Sequence, residues 1–520
     1  MSRAEQVVVW LAIGFVFAIR FMHVTGPLDE PMWRQADTAY MALRMMHESP
    51  PDMMNPKAPY RGHEDVKAAE FPIYPLIAAI VYKVLDRESL PSARIVTLAF
   101  FAASAWLLFL SVMIIAPYRI AAWTLLLYCI APLGIAYSRM VHPDFSILFF
   151  SHLFLYALLR FIRDGFTRWW LIAVAGGVGA FLMKAPYCFF LGLIPGFWWL
   201  IDPSRRTLPR FTGLATVLIL PLVFAIWFNQ HRINQEAPHE ESLVYPMKWT
   251  AESSAGRFFG TIGDRADIEG WKLITKRMIW LVLTPLGALA AVIGFLAAIL
   301  KKKPKESPAI LHWIPHVWLA GGLVYILVVF PMVAGSHEYY TIPLIAPAAL
   351  LSALGIVFLL DAVSFKLPKL MIPTLVALAI GLLYGAGAGL ARGPYLAGVP
   401  YFSVDWQRVV AGETIKLNTT EEDLVLSVTH GRSTGWSDPR ILYYADRRGW
   451  AIQLQNINET NLQAFVHAGA TVAAMLETPD IIADVAVKQL FGETPRFSQN
   501  LLHPDGHIIG QLLLFDLKKQ

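Results

Sequence analysis

The sequence predicts an all-α bundle of membrane-spanning helices followed by a small water-soluble α/β domain. Of its 520 residues, 56% are hydrophobic and only 16% are charged. The mean hydropathy of +0.50 is higher than ordinary soluble domains reach. Apolar segments of the roughly 20 residues that a helix needs to cross the hydrocarbon recur from Val7 to Leu390. A bilayer is the solvent that fits this composition.

The chain changes character at Tyr401. From there on, charged residues occur every few positions and short apolar runs alternate with polar turns, a pattern typical of a small globular α/β domain. We therefore predict a transmembrane domain over residues 1–395 and an extracytoplasmic domain over residues 396–520. Arg3 precedes the first apolar run and no small-residue cleavage site follows it, which favours a retained first helix over a cleaved signal peptide.

Twelve apolar segments predict the number of crossings. They begin near Gln6, Phe71, Arg94, Ile120, Phe145, Trp169, Ala185, Phe211, Arg277, Leu311, Tyr340 and Leu370. The segment from Phe71 to Leu85 is short and is interrupted by Pro72, Pro75 and Lys83, which favours an amphipathic helix lying in the membrane interface. About eleven transmembrane helices remain.

The positions of Lys and Arg predict the topology, because these residues are enriched in cytoplasmic loops. With eleven crossings, nearly all unbalanced positive charge falls in one set of loops, at Arg3, Arg119, Arg160 to Arg168, Arg205 to Arg210, Lys301 to Lys305, and Lys366 to Lys369. The opposite set contains the first outer loop (residues 23–93), the loop 229–275, the turns at 142–144 and 336–340, and the C-terminal domain. We expect this set to face the outside of a bacterial inner or plasma membrane. The net charge of +5 thus reflects topology and does not indicate nucleic-acid binding.

The first outer loop carries two candidate acidic residues. It is far longer than a connection needs, and loops beyond about 12 to 15 residues are usually functional or disordered. Asp37 stands where a helix is predicted to begin, and Glu70 precedes the interfacial helix. A carboxylate at a helix start is most often a cap, but the second acidic residue in the same loop favours a functional role.

Two further elements place ionisable residues at membrane-helix ends. The turn between two apolar segments holds Arg139, His142 and Asp144, and charged groups at such positions are costly and tend to be functional. The alternative is an interfacial turn solvated by lipid headgroups. Lys184 stands between two apolar runs with almost no loop around it, and a phosphate is its natural partner.

The last outer turn reads His337-Glu338-Tyr339-Tyr340. Interfacial tyrosines alone would indicate only an aromatic belt, but the His-Glu pair adds chemistry. Together with the residues above, it brings carboxylates and cations from separate segments to one membrane face. A transporter would more naturally bury charges at the bilayer midplane. Carboxylates for base and metal roles, with cations for a phosphate, favour group transfer from a membrane-bound phosphorylated donor; a transporter or flippase and a non-catalytic scaffold are the rival hypotheses.

At these residues the chain resembles the GT-C glycosyltransferases, the group that includes the protein O-mannosyltransferases and the lipid A aminoarabinose transferases (families 39 and 83). The motifs that carry the resemblance are Asp37 in the first outer loop, Glu70 in Glu70-Phe71-Pro72, and Asp144 in His142-Pro143-Asp144. Each motif is short, so the specificity lies in their order and spacing.

The chain departs from the family at two places. The usual Asp-Glu pair is Asp37-Thr38 here, while Asp29-Glu30 lies eight residues earlier and is the rival for the catalytic position. The basic residue that follows the acidic one in the aminoarabinose transferases is replaced by Phe71. Lys184, Arg61 or Lys67 would then supply the charge for the donor phosphate.

The resemblance implies an inverting transfer of a sugar from a polyprenyl-phosphate donor to an envelope acceptor, which is a lipid, a glycan or a protein. Asp37 would act as the general base, with Asp144 as a further catalytic carboxylate. Lys184 with Arg34 or Arg139 would offset the charge on the leaving phosphate. Glu70 and His337 would hold a divalent cation; alternatively, the His337-Glu338 pair only forms hydrogen bonds.

Overall fold

The computed structural model describes residues 1–62, 70–165, 167–203, 206–236, 256–300, 309–335, 337–394, 396–429, 438–477, 490–492 and 494–517. The chain falls into two compact units. The membrane unit consists of Met1–Val24, Arg94–Gln230 and Ser254–Phe402, and the C-terminal unit consists of Thr25–Ala93, His231–Ser253 and Ser403–Gln520.

Helices dominate the chain, and the strands are confined to its C-terminal part. The helices are α1 (Arg3–Ile19), α2 (Met32–His47), α3 (Ile73–Leu85), α4 (Leu90–Ile115), α5 (Tyr118–Ile130), α6 (Pro132–Tyr137), α7 (Asp144–Asp164), α8 (Thr167–Lys184), α9 (Leu193–Ile201), α10 (Leu208–Glu236), α11 (Ile268–Arg277), α12 (Pro285–Leu300), α13 (Ala309–Val328), α14 (Phe330–Ala334), α15 (Ile345–Lys366), α16 (Met371–Arg392), α17 (Trp406–Asn418), α18 (Arg440–Ala445) and α19 (Glu459–His467). The strands are β1 (Leu424–Thr429), β2 (Arg448–Gln453), β3 (Val472–Glu477), β4 (Phe497–Leu502) and β5 (Ile508–Asp516).

The helical bundle has the composition of a membrane domain. Within the described ranges, six helices are long and apolar enough to cross a bilayer, or seven if the pair Ile268–Val282 and Pro285–Ile299, bent by 104°, is one broken span. Further apolar helices such as Tyr118–Ile130 and Trp313–Val328 are shorter. The predicted membrane bundle is therefore confirmed, and the number of eleven crossings stays a prediction.

The helix that was predicted to lie in the interface is too short to cross. Helix α3 covers Ile73–Leu85, about 20 Å at 1.5 Å per residue, whereas the hydrocarbon is about 30 Å thick. It lies within the C-terminal unit. Its length agrees with the interfacial reading of this segment.

Small residues allow two membrane helices to approach closely. Helices α12 and α15 cross at Gly294 and Gly355, and a Cβ atom added at Gly294 would lie 1.8 Å from the carbonyl oxygen of Leu351. A Cβ atom at Gly355 would lie 1.9 Å from the carbonyl oxygen of Ala290. Membrane helices associate through such contacts between small residues, because lipid supplies no hydrophobic drive for their association.

The predicted C-terminal α/β domain is confirmed. In the described part of the chain a five-stranded sheet has the order β2-β1-β3-β5-β4. Strand β1 pairs in parallel with β2 and β3, and β5 pairs antiparallel with β3 and β4. All residues of β1 are buried, because hydrophobic clusters cover both faces of the sheet.

One segment of the first outer loop packs into the core of this domain. Ala58 and Tyr60 belong to the hydrophobic cluster on one face of the sheet. The backbone N–H of Gly62 donates to the carbonyl oxygen of Gly449 at 2.8 Å, and the N–H of Gly449 donates to the carbonyl oxygen of Pro59 at 2.9 Å. Residues 25–93 therefore share a compact unit with the C-terminal residues, and the predicted division of the chain at residue 395 stays a prediction.

Candidate functional site

The centre of the candidate site in the membrane unit is a buried carboxylate with two basic neighbours. Asp144 is the first residue of α7 and is 0% exposed; the helix N-terminus favours its negative charge. One carboxylate oxygen lies 3.1 Å from Nδ1 of His142, and the other lies 3.3 Å from Nζ of Lys184. The structure thus brings together three residues that the sequence analysis had selected.

Lys184 is enclosed by tyrosine rings. Helix α8 ends at Lys184 because Pro186 has no N–H group to continue it. The ammonium group lies 4.4, 4.6 and 4.1 Å from the ring centres of Tyr187, Tyr339 and Tyr340, which is cation–π distance. It also donates to the hydroxyl of Tyr187 at 3.2 Å, which in turn donates to the carbonyl oxygen of Tyr339 at 2.7 Å. Asp144 and these tyrosines together stabilise a cation that is almost fully buried.

Glu338 forms a second buried carboxylate in the same unit. It begins the 3-10 helix Glu338–Leu344 and accepts a hydrogen bond of 2.6 Å from the Tyr137 hydroxyl. The buried Arg277 donates to the carbonyl oxygens of Val333 at 2.5 Å and Gly335 at 2.6 Å, so it fixes the chain that leads towards Glu338. The turn carrying Glu338 is therefore held by side chains from two distant segments.

His337 and the tyrosines after it form one aromatic group. The His337 ring lies 5.3 Å from that of Tyr339 and 6.3 Å from that of Tyr340. Tyr339 also contacts the His142 ring at 5.3 Å. Since both tyrosines face the ammonium group of Lys184, they line the buried cluster and do not simply form an aromatic belt.

Arg139 is buried. It lies close to His142 in sequence but contacts residues other than those of the cluster. Its Nε donates to the carbonyl oxygen of Met22 at 3.1 Å, and its guanidinium lies 4.5 Å from the ring centre of Phe402. It is 1% exposed. Its role in binding the donor phosphate stays a prediction.

The C-terminal unit holds the second group of predicted residues, on α2. This helix begins at Met32, so Asp37 lies in its second turn and cannot be an N-cap; the expectation that a helix begins at Asp37 is corrected. Arg34 pairs with Asp37 at 3.1 Å, one helical turn apart, and also with Glu70. A single guanidinium thus joins the two acidic residues that the resemblance selected in the first outer loop.

The rival pair Asp29-Glu30 is engaged in the turn that precedes α2. The Gln35 amide donates to the carbonyl oxygen of Asp29 at 2.6 Å and to its carboxylate at 3.3 Å. Glu30 accepts from the backbone N–H of Met32 at 3.3 Å. Burial raises the pKa of Glu30 against the opposing charge of Arg440. Both acidic pairs are therefore engaged, Asp29-Glu30 in this turn and Asp37 with Arg34, and the choice of Asp37 as the base stays a prediction.

The last predicted site residues are Arg61 and Lys67 for the donor phosphate, and Glu70 with His337 for a metal ion. Arg61 lies 5.9 Å from the ring centre of Tyr60, and Lys67 falls outside the described residues. Glu70 belongs to the C-terminal unit and His337 to the membrane unit, and the Glu70 carboxylate is paired with Arg34. Their roles stay predictions.

Sequence reasoning missed four residues of the buried cluster: Tyr137, Tyr187, Arg277 and Tyr325. Tyr187 lies three residues after Lys184, a spacing that places two side chains on one face of a helical turn and that could have identified it. The Tyr325 hydroxyl donates to the carbonyl oxygen of Tyr340 at 2.6 Å. Local sequence carries no signal for that contact or for the one made by Arg277.

Comparison with known proteins confirms the resemblance at the level of the fold. The family model described as dolichyl-phosphate-mannose-protein mannosyltransferase matches residues 67–228, a segment that includes Asp144 and Lys184 and excludes Asp37. No curated protein matches the chain by sequence.

Solved structures of membrane glycosyltransferases have the same fold. ArnT from Cupriavidus metallidurans bound to undecaprenyl phosphate matches with a TM-score of 0.58 and 12% identity, over 99% of this chain and 98% of that one. The Archaeoglobus fulgidus oligosaccharyltransferase in complex with Zn and sulfate matches with a TM-score of 0.57 and 14% identity, over 97% and 72%. Arabinofuranosyltransferase AftD from Mycobacteria matches with a TM-score of 0.55 and 12% identity, over 99% and 42%.

Proposed function

We propose that the chain is a membrane glycosyltransferase that moves a sugar from a polyprenyl-phosphate donor to an envelope acceptor. The buried Lys184–Asp144–His142 cluster carries the proposal, since its charged groups are costly among membrane helices unless they serve a ligand or a reaction. The fold adds support, because structures of the same fold include an ArnT bound to undecaprenyl phosphate. A sugar, its acceptor and the lipid phosphate are therefore the proposed ligands.

The proposed reaction is a single displacement with inversion at the anomeric carbon. Asp37 removes the proton of the acceptor hydroxyl as its oxygen attacks the anomeric carbon. The bond between that carbon and the phosphate oxygen breaks, and its electron pair leaves with the polyprenyl phosphate. Lys184, with Arg34 or Arg139, offsets the charge that develops on the phosphate.

Asp144 and the tyrosines have a positioning role in this proposal. Asp144 pairs with Lys184 at 3.3 Å and so fixes the direction of the ammonium group. The tyrosine rings cover that group, which is only 7% exposed, and a low local dielectric strengthens its interaction with a phosphate. A divalent ion on Glu70 and His337 remains a further proposal, and Arg34 would compete with it for the Glu70 carboxylate.

Asp37→Asn tests the proposed base. The amide keeps the size of the side chain but cannot accept the proton, so transfer should fall by at least ~100-fold, as for other general bases, while donor binding persists. Mass spectrometry of envelope glycans with and without the protein identifies the sugar, and transfer is then measured with purified protein in nanodiscs.

Asp86→Asn is the matched control, because Asp86 is an exposed residue of the same loop at φ 52°, a conformation that asparagine tolerates well. Its activity should equal that of the wild type. An active Asp37→Asn protein together with an inactive Asp29→Asn or Glu30→Gln protein would move the base to the rival pair.

We also propose that the active site and the C-terminal unit face the extracytoplasmic side of a bacterial plasma membrane. The distribution of Lys and Arg between the two sets of loops supports this orientation. Reporter fusions after Arg163 and Lys369 should report cytoplasm, and a fusion after Gln520 should report the opposite side. A cytoplasmic reporter at Gln520 would contradict the eleven-crossing topology.

A further inference from the structure

The turn between β4 and β5 holds two histidines and an aspartate in a fixed arrangement. The turn runs from His503 to His507 and lies in the C-terminal unit. The backbone N–H of His503 donates to the carbonyl oxygen of His507 at 2.8 Å, and the N–H of Gly506 donates to the carbonyl oxygen of His503 at 2.8 Å. Gly506 has φ +94°, which other residues rarely adopt. Two backbone hydrogen bonds therefore close this turn. Two longer ones, both of 3.4 Å, run from the N–H of Asp505 to Nδ1 of His503 and from the N–H of His507 to a carboxylate oxygen of Asp505.

The side chains of the turn converge on one point. A carboxylate oxygen of Asp505 lies 2.8 Å from Nδ1 of His503 and 2.5 Å from Nδ1 of His507. Of the described residues, these three are the only group of His, Cys, Asp and Glu side chains that brings at least three ligand atoms within 4.8 Å of one another. Such electron-pair donors repel one another unless a proton or a metal ion lies between them.

Stabilisation of the fold does not account for this arrangement. The side chains of Asp505 and His507 are 60% and 61% exposed, and that of His503 is 28% exposed. Ion pairs between exposed groups contribute little to stability. The two hydrogen bonds that the His503 and Asp505 side chains accept from the backbone are 3.4 Å long and therefore weak, and the backbone hydrogen bonds already close the turn. The two imidazole rings stack at 4.7 Å, and Trp406 packs edge-on against His503 at 5.8 Å. These ring contacts hold the histidines in place before any ligand arrives.

We propose that His503, Asp505 and His507 bind a divalent transition-metal ion of the Zn²⁺ class, with a fourth position open to water or another ligand. Imidazole nitrogen with one carboxylate oxygen suits zinc and its neighbours, whereas Mg²⁺ and Ca²⁺ take six or more oxygen ligands. Metal–ligand bonds of ~2.0 Å in a tetrahedron separate the ligand atoms by ~3.3 Å. Metal binding therefore requires the spacings of 2.8 and 2.5 Å between Asp505 and the two histidines to open to that value, and the Asp505 side chain, 60% exposed, has room to rotate.

The test measures metal binding and not transfer, so it is independent of the proposed enzyme activity. The full chain is purified in detergent through a tag without histidines, treated with a chelator and titrated with Zn²⁺ by calorimetry and with Co²⁺ by visible absorption. Variants His507→Ala and Asp505→Asn remove one ligand each. His467→Ala is the matched control, because His467 is also exposed in the C-terminal unit but lies outside the cluster.

The expected result is one Zn²⁺ bound at this turn, counted as the equivalent that His507→Ala and Asp505→Asn each remove, and a Co²⁺ spectrum of tetrahedral type that both variants lose. Each ligand variant should lose at least the ~10–100-fold in affinity that removal of even an outer-shell partner costs, whereas His467→Ala should bind as the wild type does. Circular dichroism of all variants checks that the fold persists. The proposal is overturned if the wild type binds no Zn²⁺ at micromolar concentrations, or if His507→Ala and Asp505→Asn leave the affinity unchanged.

Discussion

Lys184→Met should destabilise the protein, and changing Asp144 together with it should cause no further loss of stability. The two side chains form an ion pair at 3.3 Å and are 7% and 0% exposed. Lys184→Met leaves a buried carboxylate whose remaining basic neighbour is His142, and Asp144→Asn leaves a buried ammonium group among tyrosines. Each single change breaks a buried pair, whereas the double change removes both charges.

The magnitude follows from the burial of the pair. Removing one partner of a buried ion pair lowers the free energy of unfolding by about 3–5 kcal/mol. We expect each single change to lie near the lower end of this range, because His142 still stabilises the Asp144 carboxylate and the tyrosine rings still stabilise the Lys184 ammonium group. Independent effects would add to about 6 kcal/mol in the double variant. We expect the double variant to cost at most about 3 kcal/mol, so the coupling energy of the pair is at least about 3 kcal/mol.

The assay is unfolding of the purified protein from mixed micelles by increasing amounts of a denaturing detergent, followed by tryptophan fluorescence. The control is the same cycle on Lys272 and Glu269, which pair at 2.7 Å but are 58% and 78% exposed. Exposed pairs of this kind contribute about 0.2–1 kcal/mol. A coupling energy for Lys184 and Asp144 no larger than that of the exposed pair would refute the reasoning.

The remaining predictions concern the C-terminal unit. Burial opposes ionisation of Asp438, but the guanidinium of Arg440 outweighs it and lowers the pKa of that carboxyl; its stabilisation is therefore complete above about pH 4 and is lost as the pH falls through the lowered pKa. Asp438→Asn should lower the free energy of unfolding by about 3–5 kcal/mol at neutral pH. It should also weaken the fall of the unfolding temperature at acid pH, and an unchanged fall would contradict the pairing. Gly62→Ala should lower the free energy of unfolding by about 1–3 kcal/mol, since its Cβ would lie 2.5 Å from the Trp450 ring. Gly492→Ala, in the same unit and also at positive φ but with open space around it, should lower it less. Thermal unfolding of both variants measures the difference. Equal losses of stability would contradict a steric clash between the methyl group added at Gly62 and the Trp450 ring.

Some residues of the candidate site could be selected from sequence alone. A cation such as Lys184 between apolar runs stands out because buried charge is costly in a membrane. The partner of that cation could not be predicted from the sequence. Asp144 lies 40 residues away, and only the packing of α7 against α8 brings the two side chains together. The start of α2 was also misjudged: Asp37 looked like a cap, but the helix already begins at Met32.

The sequence by itself determined the membrane bundle, the short apolar helix that follows Glu70 and the α/β character of the C-terminal domain. These depend on hydropathy and periodicity, which are local properties of the chain. Only the tertiary structure decided which side chains meet: the tyrosine rings around Lys184, the bridge from Arg34 to Asp37 and Glu70, and the docking of Tyr60 in the core of the C-terminal sheet. Such contacts join segments far apart in the chain, and their geometry depends on the packing of whole helices and strands.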